Sequence, residues 1–518
     1  MLEDAARRLA EHVASNAPAG WAEAVVAGRA GGIGASMSHL YRPPGNTVRR
    51  FRSPISFAEF KNVGEQARQL RGWEQTSIEI RCRATGEYRL VAFTETVTSR
   101  LWSSGGFLAV LDPDYRLPQP GRSQQAGTAP PVGDPELAVE RFGEYLRKRA
   151  AILGSVEHLP PPVSEADLDD AERRIGQPLP ADLRALYSIA NGDAGAHGPR
   201  YLFGGNTWLS LQRLVDVYAD HGSPVWFGWN QEWDAVMLDA DPAETVRRCG
   251  AHPGWVPFAD GEDGNYLAVD LAPAVNGRPG QVIGMGRDSD RGPTHFADSV
   301  TSLLGRYLSL LDQGDYELHD DHISVRERVR GAGPDTIIGD AIPDPSPATL
   351  QAVLINDAAQ PVRLDPLAAS PYLRRLHLNR CATADLAPIR ELPVESLRVT
   401  LDGGDLAPLE GHLHLSSLEL GTTGTVDIAP LTTAPNLRGL DLSRARVDDL
   451  TVLSNLHSLR YLVLTARQWT TLLDHDKPPP ALAAACLADA DASFDQALAW
   501  AASLGLDTEG AFRISGTL

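Results

Sequence analysis

The chain has 518 residues, more than one ordinary core accommodates, and its 43% hydrophobic and 22% charged residues exclude wholesale disorder. Its formal net charge of −20, from 47 Lys and Arg against 67 Asp and Glu, disfavours nucleic acid and anionic membrane as partners, because both select clustered basic side chains. Length points to a multidomain protein, and the mixed helical and strand patterns along the chain to a multidomain α+β fold class.

In chain order, the opening MLEDAARRLAEHVASNAPAGW is patterned as an amphipathic helix and lacks the apolar centre of a signal peptide. Alternation and β-branched content predict strands at Thr76–Arg83, Tyr88–Thr94 and Phe107–Leu111, so residues 1–117 read as a small α+β domain. The run Gly31-Gly32-Ile33-Gly34 lacks a third glycine in register and reads as a turn, not a dinucleotide loop. An early helix, Trp73, the stretch SIEIRCRATGEYRLVAF and the ending Asp112-Pro-Asp-Tyr115 loosely resemble the YezG-like family of bacterial immunity proteins. Residues 118–135, rich in Pro, Gly and Gln, read as a linker.

Residues 136–330 form the expected second domain. Ser164 caps a helix that carries Leu168, Ala171 and Ile175 on one face and ends at Gly176. In LPADLRALYSIANG, Pro180 suits a first helical turn, Leu183, Leu186, Tyr187 and Ala190 share a face, and Asn191-Gly192 suits a left-handed exit. Strands follow at Tyr266–Asp270 and Gly280–Met285, then a helix with Val300, Leu303, Leu304, Tyr307, Leu308 and Leu311 on one stripe. LPADLRALYSIANG, YLFGG, LSLQRLVDVY, WVPFADGEDGNYLAVD, GQVIGMGRD and ADSVTSLLGRYLSLL, in this order, closely resemble the SUKH superfamily, which includes a fungal cell-wall-synthesis regulator and bacterial immunity proteins. The resemblance implies helices on a central sheet, a protein-binding role and no catalytic machinery. It falls on Leu179, Pro180, Leu183, Tyr187, Asn191, Gly192, Trp255, Pro257, Phe258, Asp260, Gly264, Asp270 and Ala297. Trp226, Trp229 and Trp233, three tryptophans in eight positions, are either an aromatic binding patch or partly strand core.

After a Gly-, Pro- and Asp-rich linker at 331–347, an internal repeat dominates. The pattern apolar-x-x-L-x-apolar starts at Leu350, Leu373, Val394, Leu415, Leu437 and Leu459, in steps of 23, 21, 21, 22 and 22 residues. A second signature interlocks with it: Asp385-Leu-Ala-Pro-Ile, Asp405-Leu-Ala-Pro-Leu, Asp427-Ile-Ala-Pro-Leu and Asp449-Leu-Thr-Val-Leu. A short strand and a tight 3₁₀ return per turn predict a leucine-rich-repeat α/β solenoid of about six turns over 348–475. The usual Asn or Cys after the strand appears only as Cys381. Beyond DKPPP, residues 476–518 read as a helical C-terminal cap.

The chemistry of catalysis is largely missing. There is no phosphate loop with Lys-Ser/Thr, no HExxH pair and no GxSxG elbow. The acids of Asp260-Gly-Glu262-Asp263-Gly264 lack calcium-loop spacing and read as a turn, and the pairs His319/His322 and His412/His414 lack a third ligand. The four cysteines Cys82, Cys249, Cys381 and Cys486 stand apart, which suits a reducing cytoplasm. We therefore expect no catalytic, cofactor or metal residues. The expected function is a non-enzymatic, cytoplasmic protein-binding protein, read first as an immunity protein that neutralises a toxin. The alternative is a regulatory scaffold acting in cell-wall synthesis or signalling; an enzyme would need an unrecognised N-terminal site. Arg375, His377, Arg398, Glu419, Asp441 and Tyr461, outward between the inward leucines, are the expected partner-binding residues together with Trp226, Trp229 and Trp233.

Overall fold

A computed structural model describes residues 1–32, 34–45, 57–100, 105–194, 198–221, 226–289, 292–319, 322–325, 335–475 and 477–518. Ile33, Asp476 and residues 331–334, on which parts of the expected turn and boundaries fall, lie outside them. The chain divides into two compact units. The first comprises Met1–Tyr115, Trp229–Asp234 and Ile337–Leu518; the second comprises Arg116–Gly228 and Ala235–Thr336. It is a mixed α/β protein with several sheets.

In the first unit, an antiparallel sheet runs in the order Ala35–Arg42, Glu23–Gly31, Gln75–Arg83, Glu87–Thr94, Phe512–Thr517. Helix Leu2–Ser15 turns Ala5, Ala6, Leu9, Ala10 and Val13 into the core beneath it. Helix Phe57–Arg71 comes so close at Gly64 that an added Cβ there would lie 2.3 Å from the Ala30 Cβ.

The same unit contains a parallel run of seven strands: Ala352–Asn356, Arg375–Thr383, Ser396–Leu401, Ser417–Val426, Gly439–Val447, Tyr461–Leu464 and Ala484–Leu487. Paired residues advance from 352 to 375, 396, 417, 439, 461 and 484, the spacing of the sequence period. Val353, Leu376, Leu397, Leu418, Leu440 and Leu462 all face one continuous core, each such burial contributing about 1.5–3 kcal/mol. The returns include 3₁₀ turns at Ala387–Ile389, Ala407–Leu409, Ala429–Thr433 and Leu450–Asn455. These turns account for the second sequence signature. Oδ1 of Asp385, Asp405, Asp427 and Asp449 accepts the backbone N–H two residues on, at 2.8, 3.0, 2.8 and 2.9 Å, satisfying a donor that the first turn leaves open.

Two expected boundaries are corrected. The tail is not simply helical: Ala484–Leu487 extends the parallel run, helix Phe494–Ser503 starts at a Ser493/Gln496 capping box, and Phe512–Thr517 completes the N-terminal sheet by pairing with Glu87–Thr94. The N-terminal segment is likewise no separate domain, because Phe107–Val110 pairs antiparallel with Ala484–Leu487. Phe107 stacks on Phe494, and Glu79 accepts the Phe494 N–H at 3.0 Å. The Glu87–Thr94 edge and the Ala484–Leu487 end of the parallel run are thereby each covered by chain from the opposite terminus.

The second unit centres on an antiparallel sheet in the order Thr294–Ala297, Gln281–Gly286, Asn265–Asp270, Trp255–Asp260, Thr207–Trp208. Its helices include Pro135–Leu153, Glu165–Ile175, Leu211–His221 and Val300–Gln313. Ser164 caps its helix by accepting from the Asp167 N–H, Gly176 ends it at φ +79°, and Asn191 Oδ1 accepts the Leu211 N–H at 2.8 Å. Buried Asp182 accepts from both the backbone N–H and the hydroxyl of Thr301 at 2.9 Å, fixing the start of the last helix. Asp260 and Asp263 each accept a backbone N–H two residues on, making the acidic loop a turn between strands.

Residues 118–135 are also not a free linker. Gln119 and Gln124 accept the N–H groups of Gly250 and Arg248 at 3.0 and 2.7 Å, and Arg247 donates to the carbonyls of Gly121 and Gln124. A Cβ on Gly121 would meet the Arg248 backbone at 2.6 Å. The Gly- and Gln-rich composition serves a strap laid flat on backbone, with amide side chains replacing a strand ladder.

Candidate protein-binding face

Because the leucines of the parallel run point inward, alternate residues share the opposite face. Register aligns Arg375, Ser396, Ser417, Gly439, Tyr461 and Ala484 in one row, and His377, Arg398, Glu419, Asp441, Val463 and Cys486 in the next. All six repeat residues expected to meet a partner fall in these rows.

The rows already carry a short piece of chain. Trp229–Asp234, part of the first unit, lies against them with Trp229 only 3% and Trp233 only 8% exposed. Tyr461, fully buried, stacks on Trp229 at 5.7 Å with the rings 5° from parallel, and meets Trp233 at 5.2 Å. Tyr115 also stacks on Trp229, at 6.0 Å, and the Arg460 guanidinium lies over the Tyr115 ring at 5.4 Å. Such stacked pairs add about 0.5–1.5 kcal/mol each beyond area burial. Trp233 fits because position 439 is glycine: a Cβ there would lie 2.9 Å from both Cε3 and the carbonyl oxygen of Trp233.

Next to the rings the contacts are ionic. Arg398 meets Asp234 at 3.2 Å and Glu419 at 2.6 Å, Arg444 meets Glu419 at 2.6 Å, and Arg398 donates to Asn379 Oδ1 at 3.1 Å. Burial lifts the Asp234 and Glu419 carboxyls above their ordinary range, and the Arg398 charge pulls both back. Asp441 Oδ1 accepts from the Ser443 N–H and hydroxyl at 2.9 and 2.6 Å. His377 is buried against Ser396 at 2.9 Å; burial first, then Arg398 and Arg375, push its pKa down to about 3, so it is a neutral hydrogen-bonding group. Arg100 donates to the Cys486 thiol at 2.7 Å in the same row.

The three tryptophans divide between the units. Trp226 belongs to the second unit, with the Arg116 guanidinium 5.1 Å over its ring, while Trp229 and Trp233 belong to the first. Sequence reasoning missed Asp234, Tyr115 and Arg100; alternation puts Gly439 on the outward face but does not show that its missing Cβ admits Trp233. The available signal was a carboxylate directly after Trp233. The second unit holds its own open cavity of about 600 Å³, whose lining includes Tyr201, Asn206, Tyr266, Phe296, His319 and His322. His319 and His322 stack there at 4.4 Å. Among the described residues no group of three His, Cys, Asp or Glu is placed to hold a metal, and no helix is long and apolar enough to cross a membrane.

Residues 162–306 match the SMI1 / KNR4 family (SUKH-1) model. The match spans the second unit's sheet and most of its helices, and it includes the excursion Trp229–Asp234 that joins the first unit. Similar curated proteins are the "Cell wall biosynthesis/cell cycle regulator smi1" of Schizosaccharomyces pombe and the "Glucan synthesis regulatory protein" of Neurospora crassa. The first is 30% identical over 31% of this chain and 33% of its own length. The second is 37% identical over 29% of this chain and 35% of its own. "KNR4/SMI1 homolog 2" of Debaryomyces hansenii is 25% identical over 37% of this chain and 38% of its own. The chain thus spans about a third of the length of these relatives. Among solved structures, internalin C2 of Listeria monocytogenes is 23% identical over 23% of this chain and 52% of that one, with a TM-score of 0.20.

Proposed function

We propose that this chain is a non-enzymatic regulatory protein that works by binding other proteins, with its SMI1/KNR4-like region and its parallel-strand face as the two binding elements. The match at 162–306 carries this reading, because the named proteins of that family to which the chain is similar are regulators of cell-wall or glucan synthesis. They are named as regulators and not as enzymes. Their names favour the scaffold reading over toxin neutralisation, which draws no support from them.

The strand run is a leucine-rich-repeat solenoid on this reading: one strand and one tight return per 21–23 residues, stacked on a shared leucine core. Such an array presents a broad outward face, and this one mixes aromatic anchors with paired charges, the composition of protein recognition. The expected setting is cytoplasmic. Affinity capture of the full chain from its native cell, followed by reconstitution with the purified candidate, tests the proposal. A protein that binds the purified chain at defined stoichiometry supports it. Failure to retain any protein above a control chain, in several growth states, sinks it.

A further inference from the structure

We infer that Trp229–Asp234 is an internal ligand for the outward face of the parallel strands, and that the face takes in trans a protein segment of the same chemistry: two aromatic side chains four residues apart followed by a carboxylate. The inference rests on the binding role proposed above and specifies its ligand. Four observations carry it. The segment reaches this unit as six residues from within a stretch otherwise belonging to the other unit. Its two indoles bury their rings on Tyr461 and over Gly439, so recognition is by side chains that any peptide can supply. Its carboxylate meets Arg398, whose other partner Glu419 is shared with Arg444, so two guanidinium groups face one carboxylate when Asp234 departs. The segment forms one short helical turn, Trp229–Glu232, which places positions 229 and 233 on the same side.

A tethered occupant lowers the apparent affinity of a competing peptide by the fraction of time the face is open. The unmodified chain is therefore self-restrained, and opening the segment exposes the site.

The test uses full-length chains and a fluorescein-labelled synthetic peptide of residues 227–236, read by anisotropy. The Trp229→Ala/Trp233→Ala chain is expected to bind the peptide at least tenfold more tightly than the unmodified chain. A peptide with Asp234→Asn should bind that chain at least fivefold more weakly, and a peptide with both tryptophans replaced by alanine should not bind. Equal binding to the two chains, or none to a doubly substituted chain whose circular dichroism and melting show it folded, overturns the inference. If the double variant does not fold, Asp234→Lys in the full chain replaces it, since this carboxylate is partly solvent-exposed and lies outside the core. Peptide affinity no higher than for the unmodified chain then overturns it as well. A dimer of the unmodified chain that dissociates on Trp229→Ala/Trp233→Ala would make the occupant a second copy and also overturn it. A cellular partner held equally by the unmodified and opened chains would sink this inference while leaving the regulatory binding role standing.

Discussion

Replacing Gly439 by alanine distinguishes a seated segment from a vacant face by the sign of its effect. Gly439 lies in extended strand backbone, where glycine is about 0.5–1 kcal/mol less favourable than alanine. On an open face the substitution would therefore stabilise the strand. With Trp233 seated, the new Cβ lies 2.9 Å from Cε3 and from the carbonyl oxygen, against ordinary contact from 3.4 Å. The segment must yield by about half an ångström at two atoms at once, an overpacking that costs about 1–3 kcal/mol. As a local opening equilibrium this is about 5- to 150-fold. Amide hydrogen exchange of residues 229–234 in the full chain reads that change directly, with the Leu440 and Leu462 strands as internal reference. Faster exchange confined to 229–234 is expected. Unchanged exchange there, together with a higher denaturation midpoint, would refute the packing argument.

Other outcomes follow from the same contacts. Asp427→Ala removes the acceptor that caps the Ala429–Thr433 turn and should lower first-unit stability in urea by about 1 kcal/mol, with Asp427→Asn losing less. Arg398→Ala leaves Asp234 and Glu419 without their shared cation; exchange at 229–234 should rise more than in Arg444→Ala, whose partner Glu419 keeps Arg398. Two sets of buried groups, one in each unit, should contribute oppositely with pH. In the second, burial raises Asp270 to about 7 and Asp193 to about 6. Their stabilising contribution is whole below the ordinary carboxylate range and is lost as pH rises through 6–7, so its melting temperature should fall from pH 4.5 to 8, less steeply in Asp270→Asn. In the first, His377 is held down to about 3; its contribution is present above the ordinary histidine value near 6.5 and is lost as pH falls from there, and His377→Gln should flatten that loss.

The repeats were legible because their period is a property of the sequence: leucines return every 21–23 residues, and each strand's inward and outward faces follow from alternation. The role of the periodic aspartates needed coordinates, because their acceptor geometry depends on the 3₁₀ turn that follows. The fate of the outward face was not legible at all. Alternation places Arg398 and Tyr461 outside the leucine core, but it cannot reveal that six residues from position 229 cover them. The covering contacts, such as Asp234 with Arg398 and Trp229 with Tyr461, join positions more than 160 residues apart in sequence and leave no periodic mark. The tail misled for a related reason. Phe512–Thr517 is only six residues long, and its partner strand lies more than four hundred residues earlier. The 118–135 strap was read from composition alone, and Pro, Gly and Gln suit both a free linker and a chain pressed against backbone. In the second unit, by contrast, Ser164, Gly176 and Asn191 act through local caps that short-range sequence can show.

The central claim is protein binding. It is tested most directly by titrating a partner, captured from the native cell and purified, against the full chain and against its Trp229→Ala/Trp233→Ala variant by calorimetry. The account predicts saturable binding at defined stoichiometry, tighter for the variant when the partner uses the strand face. No heat of binding to either chain, with both shown folded by circular dichroism, would contradict it.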